Sequence, residues 1–432
     1  MKAKGIPNRS LLSDPESLPL DIPLTFVEQL HDAKRAGRHV DFRMGTPSSG
    51  MVSWALPKGL PTKPGDKRLA ITQPLHDWAY NDFEGTIGKG YGSGTVKQQD
   101  KGQLVLVERR PGMFRFTRTD QRNPPVYTMV RTPNRNWLIF IQNDGDEDSI
   151  LHYDKEHFRS VSPAAVRAMM TKGAIAAPKL DGAAALARIR RHGVDVYSVR
   201  RDKDGRLIRY TDHIGGLRGM TNPADLVGRV IRGEVIAERD GKVLPPQEIS
   251  GLLNSNLGKV LEKRRQGIRM RMAALGLMDN GIEDYDPDKV ADVVRRLKTP
   301  AITGVPVYRT PDEAEKALAS MASGEHPLTG EGLVLYPTGG RPIKAKLTEE
   351  QDVVVDDIFP SKAEGRAGGF SYRLPDGDGP VGRVGTGFDF PTLRDMMDNP
   401  EKYRGRTARI RSQGQFPSGA YRAPSFISLH EG

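Results

Sequence analysis

Not one cysteine occurs among the 432 residues, which excludes disulfide cross-links and every zinc site built on thiolates, and fits a reducing compartment. Nor is there an apolar run of about 18 residues or more, so nothing reads as a membrane-spanning helix. The opening stretch, MKAKGIPNRSLLSDPESL, lacks the apolar segment of a secretory signal peptide. Internal repeats and long low-complexity tracts are also missing. What remains is a globular composition, 37% hydrophobic and 28% charged. The length predicts two or three domains rather than one core. The net charge of +11 and pI near 9.6 favour polyanionic partners, because phosphate contacts release counterions. Charge alone leaves a solvated basic surface as an equal reading.

Residues 1–19 are polar with Pro and Ser and read as a flexible arm. Residues 20–143 hold short alternating runs such as QLVLVE and NWLIFIQ, so this part is expected to be mostly β. The acidic NDGDEDS at 143–149 marks a linker, placed at 144–165. Ser162 followed by Pro163 signals a helix start in SPAAVRAMM. Over 166–347, strand-like runs (ALARI, VDVYSV, GRVIRGEVIAER, EGLVLY, IKAKL) alternate with helical stretches such as PDKVADVVRRLK at 287–298, a mixed α/β unit. A smaller β unit follows at 348–432, with DVVVDDIF its clearest strand.

Lys179-Leu180-Asp181-Gly182 falls between two strand-like runs, so it is expected to be a turn. A turn lysine can act as a nucleophile once its amine is neutral, and Gly182 would let backbone approach a ligand closely. Four residues recur by chance, and a solvated turn is the simpler reading of the string in isolation. Further along, Glu234 lies inside a strand-like run, Glu331 opens EGLVLY, and Lys344 and Lys346 alternate in IKAKL, a spacing that puts both ammonium groups on one strand face. Attack on an α-phosphate needs such a set: a lysine nucleophile, cations for the phosphates, and carboxylates for a divalent metal and the ribose hydroxyls.

In this order the residues resemble the motifs of the covalent nucleotidyltransferases, the superfamily of DNA ligases, RNA ligases and capping enzymes. Lys179 matches the adenylated lysine, Glu234, Glu331 and the Lys344–Lys346 pair match the later motifs, and Arg200 or Arg201 in YSVRRDKDG matches an intervening arginine. The resemblance implies ATP as nucleotide donor, with Asp181, Gly182 and Arg200 among the groups that bind ATP or AMP, and Mg²⁺ or Mn²⁺ held by Glu234 and Glu331. Residues 348–432 resemble the OB-fold domain that follows this core, through VGRVGTGFDF and YRAPSF. Three departures stand out: Ala184 replaces the usual arginine two residues past the glycine, IRMRMAALGLMDNG shows no adenine-stacking aromatic, and the chain ends at His430-Glu431-Gly432 where the last motif carries arginine and lysine. KLDGAA is also similar to NAD-using ligases, but those carry a four-cysteine zinc finger, so ATP is preferred.

An earlier cluster has His31, His39 and Asp41 within eleven residues. Two imidazoles and a carboxylate suit Mn²⁺ or a similar ion, and Arg43 shares the face of His39 and Asp41, placed for a phosphate. From spacing alone, surface histidines beside a salt-bridged Asp remain the simpler alternative. Residues 25–143 resemble the 3′-phosphoesterase domain of bacterial end-joining ligases of the D type, through HDAKRAGRHVDFR, SWALPKG, KRLAI, HDWAYNDFEGTI, YGSGTV and NWLIFIQ. That resemblance implies Mn²⁺ on His31, His39 and Asp41, with Arg43, Lys58, Arg68, His76 and Tyr80 as phosphate-binding and acid–base groups. The two histidines stand two residues further apart here than in the family. This leaves two roles open for the module, catalysis and a DNA clamp.

The fold expected is therefore multidomain. A β-rich, barrel-like phosphoesterase-like domain comes first, then an α/β (α+β) nucleotidyltransferase domain of ATP-grasp-like ligase type, then an OB-fold barrel. The function expected is an ATP-dependent DNA ligase working through lysyl-AMP on Lys179, preceded by Mn²⁺-dependent 3′-end healing. Its partner would be nicked or broken duplex DNA, with an end-binding protein as a further candidate. A monomer in the cytoplasm of a bacterial or phage-infected cell is expected. An RNA ligase or capping-type enzyme, and a non-catalytic DNA-binding scaffold, are the alternatives.

Overall fold

The computed structural model describes residues 15–90, 92–134, 136–142, 158–279, 282–328, 330–338, 340–362, 365–416 and 418–430. The expected arm lies outside these residues up to position 14, as does most of the expected linker, residues 143–157. The chain forms two compact units: residues 1–156 with 181–305, and residues 157–180 with 306–432. The segment 166–347, read above as one domain, is thus shared between them.

The first unit begins with β1 (Pro23–Ala33), β2 (Gly37–Thr46), β3 (Gly50–Leu56), β4 (Lys67–Thr72), β5 (Gly85–Ile87), β6 (Gly94–Arg110), β7 (Met113–Arg118), β8 (Val126–Arg131) and β9 (Trp137–Ile141). They pair antiparallel in the order β1-β2-β3-β4-β9-β8-β7-β6, and β6 returns to β1, so the sheet closes into a barrel with β5 added against β6. Closure leaves no long unpaired edge. Alternation decides which side chains fill the core. On β1 and β2 the even-numbered Leu24, Phe26, Val40, Phe42 and Met44 join Trp54, Phe114, Phe116 and Trp137 in the apolar cluster. Phe42 stacks on Phe116 at 5.5 Å and on Trp54 at 6.3 Å. Each such buried aromatic contributes about 2–3 kcal/mol. The odd-numbered Gln29, His31, His39, Asp41 and Arg43 face the other way.

Residues 181–305 of the same unit build a second antiparallel sheet, whose main strands are Ala183–Arg190, Gly193–Arg201, Val230–Arg239 and Arg269–Asp279. Helices Pro246–Asn254, Leu257–Arg265 and Pro287–Leu297 cover it. The last of these is legible residue by residue. Asp286 caps it by accepting from the backbone of Asp288 and Lys289, Pro287 takes the first position, and Val290, Val293 and Leu297 form the buried stripe. The barrel is fused to this half. Val105 of β6 is fully buried within the second sheet's apolar cluster, and Gly258 N–H donates to Thr119 O at 2.9 Å. Charged groups are buried on both sides: Glu108 with Arg115 at 2.7 Å, and Arg218 with Asp212 at 2.9 Å and Asp195 at 3.5 Å.

In the second unit a four-stranded sheet runs Ser160–Val161, Ile343–Lys346, Gly332–Tyr336, Ile175–Pro178. Helix Pro311–Ala322 packs on it, started by the Thr310/Glu313 capping box. Pro163 does begin a helical turn, Pro163–Ala165, which runs on into Val166–Thr171. The C-terminal segment is a five-stranded antiparallel sheet ordered Gly382–Val384, Ala367–Arg373, Glu349–Pro360, Thr407–Ser412, Ser425–Leu429. Its core joins Val353, Val355, Phe370, Tyr372 and Ile410 to Met396 of helix Phe390–Asp398.

Candidate active sites

His31 and His39 are register partners across the β1–β2 hairpin, and their rings lie 4.8 Å apart. The turn between them absorbs the longer spacing. Two extra residues preserve the period-two facing of both arms, so neither histidine rotates away. Asp41 sits between the imidazoles, 3.3 Å from His31 Nδ1 and 3.4 Å from His39 Nε2. The opposite ring nitrogens meet carbonyl oxygens, His31 Nε2 with Gly92 at 3.1 Å and His39 Nδ1 with Gly37 at 2.8 Å. A carbonyl only accepts, so those contacts hold each ring with its opposite nitrogen turned toward Asp41. The three candidate ligand atoms all lie within 4.8 Å of one another. Two imidazoles and a carboxylate, each ring oriented by a backbone carbonyl, fit a borderline divalent ion such as Mn²⁺.

Electrostatics keep Asp41 ionised. Burial, the largest single influence, pushes its carboxyl up, but the bonds from His31 and His39 and the charge of Arg43 outweigh it and hold it far below the usual range. His39 is raised, first by its bond to Asp41. Arg43 is buried and donates to Asp41 at 2.8 Å and to Gln29. Gln29 in turn donates to the carbonyls of Tyr80 at 3.0 Å and Phe83 at 2.7 Å. It thereby ties the short helix Trp78–Asp82 over the hairpin. His76 meets Tyr80 edge-on at 4.9 Å, and burial followed by the Arg43 charge lowers its imidazole to about 4. Six of the eight residues expected here are therefore gathered into one group. Lys58 and Arg68 form a neighbouring pair, in which Arg68 donates to the Lys58 carbonyl and lies 3.3 Å from Asp66. Gln29 and the Gly92 carbonyl were not foreseen. Gln29 was findable, because two residues before His31 on a strand is the same face.

In the second unit, Lys179 follows the strand Ile175–Pro178, and its N–H donates to Gly332 O at 2.8 Å. That bond extends the pairing to the adjacent strand and sets Lys179 beside Glu331, to which its Nζ donates. Gly332 has φ +124° and a Cβ there would stand 2.2 Å from Ala345 O, so only glycine lets the strand carrying Lys346 come this close. Lys346 Nζ lies 3.5 Å from Glu331, which is buried. Gln413, which no sequence signal pointed to, completes the group. With the amide oriented by its partners, its oxygen accepts from Lys346 Nζ at 2.7 Å and its nitrogen donates to Glu331 at 3.3 Å. Lys344, two residues before Lys346, lies over the ring of Phe158 at 5.3 Å.

Asp181, Gly182, Arg200 and Glu234 belong to the first unit. There the Glu234 carboxylate accepts from Gly182 N–H at 2.9 Å. A Cβ on Gly182 would meet Val235 O at 2.6 Å, so its missing side chain serves a close approach to the neighbouring strand, where a ligand had been expected. Arg200 is exposed at the end of the strand Gly193–Arg201, and Arg201 donates to Gly205 O at 3.1 Å.

Residues 29–131 match the family model of the DNA ligase D 3′-phosphoesterase domain. The matched stretch takes in most of the barrel and its histidine–aspartate group. Among curated proteins, the multifunctional non-homologous end joining protein LigD of Pseudomonas aeruginosa is 33% identical over 141 residues, 30% of this chain and 16% of that protein. LigD of Mycobacterium tuberculosis is 31% identical over 156 residues, 34% of this chain and 20% of that protein. The matched stretch thus spans a fifth or less of these relatives. The chain also aligns with solved structures, two of them DNA ligases. One is a Lig E DNA ligase (17% identity, 64% of this chain and all of that one, TM-score 0.44). Another is mycobacterial DNA ligase D complexed with ATP (19% identity, 63% and 93%, TM-score 0.29).

Proposed function

We propose that the protein is an ATP-dependent DNA ligase that repairs a blocked 3′ end before sealing. The observation that carries the sealing reading is the placement of Lys179, with its Nζ against Glu331 and Lys346 on the neighbouring strand. The match of residues 29–131 supports the healing part. In this reading Lys179 Nζ attacks the α-phosphorus of ATP. A P–N bond forms, the bond to pyrophosphate breaks, and the nitrogen loses a proton with a carboxylate oxygen of Glu331 in reach. AMP then passes to the 5′-phosphate of the DNA, freeing the lysine, and attack by the 3′-hydroxyl forms the phosphodiester and releases AMP. Lys344 and Lys346 are assigned to the phosphates, and Asp181, Gly182, Arg200 and Glu234 to nucleotide binding. Glu234 and Glu331 offer the hard oxygen ligands that Mg²⁺ prefers, although Glu331 is here engaged by two ammonium groups. Mg²⁺ would screen charge on the triphosphate. Residues 348–432 are assigned to an OB fold that contacts the duplex.

In the barrel, His31, His39 and Asp41 would hold Mn²⁺, which polarises a phosphoryl oxygen. Arg43 orients the phosphate, and His76 and Tyr80 stand beside it to move a proton at the leaving oxygen. Water adds to the phosphorus as its bond to the 3′ oxygen breaks, so a 3′-phosphate leaves as inorganic phosphate and the protonated 3′ oxygen is the hydroxyl that sealing consumes. A nicked duplex with a 3′-phosphate tests both halves together. With ATP, Mn²⁺ and Mg²⁺ the wild-type chain is expected to seal it. Asp41→Ala is expected to seal only the same nick bearing a 3′-hydroxyl. Failure of the wild-type chain on the 3′-hydroxyl nick contradicts the ligase reading. Success there with failure on the 3′-phosphate contradicts healing alone and leaves the barrel as a clamp. An RNA strand at the 3′-hydroxyl side, sealed better than DNA, would favour an RNA ligase.

A further inference from the structure

Gln413 lies outside every motif considered above, yet its side chain reaches the centre of the Lys179 group. It follows directly on the strand Thr407–Ser412 of the C-terminal sheet. Its backbone is fixed: Gln413 N–H donates to Arg422 O at 3.0 Å, and Arg422 N–H donates to Gly414 O at 2.9 Å. Gly414 turns the chain at φ +94°. The side chain therefore projects from an anchored turn.

Its partners matter more than its address. A lysine ammonium has three hydrogens to donate. In Lys346, one faces Glu331 and one faces the Gln413 oxygen, which leaves a single donor for a phosphate oxygen. Glu331 is engaged on both oxygens, Oε2 by Lys179 and Oε1 by Lys346 and the Gln413 amide. An amide can serve a cation and an anion at once because it offers both an acceptor and a donor. A carboxylate or an ammonium at the same place would repel one of the two.

From this geometry we infer that Gln413 is a positioning residue for adenylation: it fixes the Glu331 carboxylate toward Lys179 and aims the remaining Lys346 hydrogen at the triphosphate of ATP. The inference rests on the adenylation reading of Lys179. It gives the C-terminal sheet a part in the first step through a neutral amide.

The test is single-turnover formation of the lysyl-AMP adduct at varied ATP, with the full chain as wild type, Gln413→Ala and Gln413→Glu. Loss of one hydrogen bond to each of two charged groups is expected to raise the KM for ATP about tenfold in Gln413→Ala. The maximal rate should change much less, a split that general destabilisation would not produce. Gln413→Glu keeps size and the acceptor for Lys346 but sets a carboxylate against Glu331. It is expected to raise KM as well, and it carries the test if the alanine variant fails to fold. Wild-type adduct with unchanged KM in a folded variant overturns the inference alone, as does a fall in maximal rate with KM unchanged. No adduct in the wild-type chain overturns the adenylation reading, and this inference with it.

Discussion

His31 and His39 stand opposite one another in the β1–β2 register, with Asp41 reaching both imidazoles. Each ring is held from behind by a backbone carbonyl, and the three candidate ligand atoms lie within 4.8 Å of one another. Asp41→Ala removes the one anionic ligand and leaves the buried Arg43 without that partner. Mn²⁺ affinity, measured by titration calorimetry, is expected to fall by about 100-fold or more, and 3′-phosphate release to be lost with it. Unchanged affinity would remove the metal assignment.

A second expectation concerns pH. Glu28 lies on the core-facing side of β1 with Asp100, Arg118 and Tyr127 around it. Burial, then the Asp100 charge, pushes its carboxyl up to about 7, against an ordinary 4.5. With the folded value raised, the folded state binds more protons than the unfolded chain between these two values, so stability falls as pH rises through them. The contribution is fully present below about 4.5 and lost above about 7. Glu28→Gln should therefore be the more stable protein at pH 8, by about 1–3 kcal/mol after allowing for partial exposure, and equal to wild type near pH 4. Melting curves across pH check this, and parallel curves for the two proteins would contradict it.

The fusion of barrel and second sheet makes a mechanical prediction. Val105 belongs to β6 but is buried in the neighbouring core. Val105→Ala is expected to destabilise the chain by about 2 kcal/mol. The barrel and residues 181–305 should lose structure in one transition, as followed by hydrogen exchange. Separate transitions for the two parts would contradict their description as one folded body.

Much of the local chemistry was legible because it depends on short periods. Alternation alone placed His39, Asp41 and Arg43 on one face, and it set Lys344 and Lys346 two apart on a strand. The break at Lys179 followed from the flanking strand-like runs, which end at Pro178 and resume at Ala183, but not that the two strands belong to different sheets, so that the segment is a link and not the expected turn. Less legible were features made by residues distant in sequence. Gln29 bridges to Phe83 and Gln413 to Glu331, contacts fixed by strand order rather than by neighbours in the chain. Arg43 was expected to await a phosphate; here Asp41 and Gln29 engage it, which a strand pattern cannot reveal. The longer histidine spacing had left the role of His31 open. Only the register shows that an even insertion keeps the pair face to face. The grouping of residues 181–305 with the barrel depends on Val105 in the second sheet's core and on the Gly258–Thr119 backbone bond, contacts between residues far apart in the chain with no local signature.

The central claim is that Lys179 forms a phosphoramidate with AMP. Incubating the chain with ATP labelled at the α-phosphate and following the label on a denaturing gel tests it directly. Label bound to the wild-type protein, released by acid as phosphoramidates are, absent from Lys179→Ala and strongly reduced in Glu331→Ala, is the predicted result. No label on the wild-type chain, or equal label on Lys179→Ala, would contradict the account.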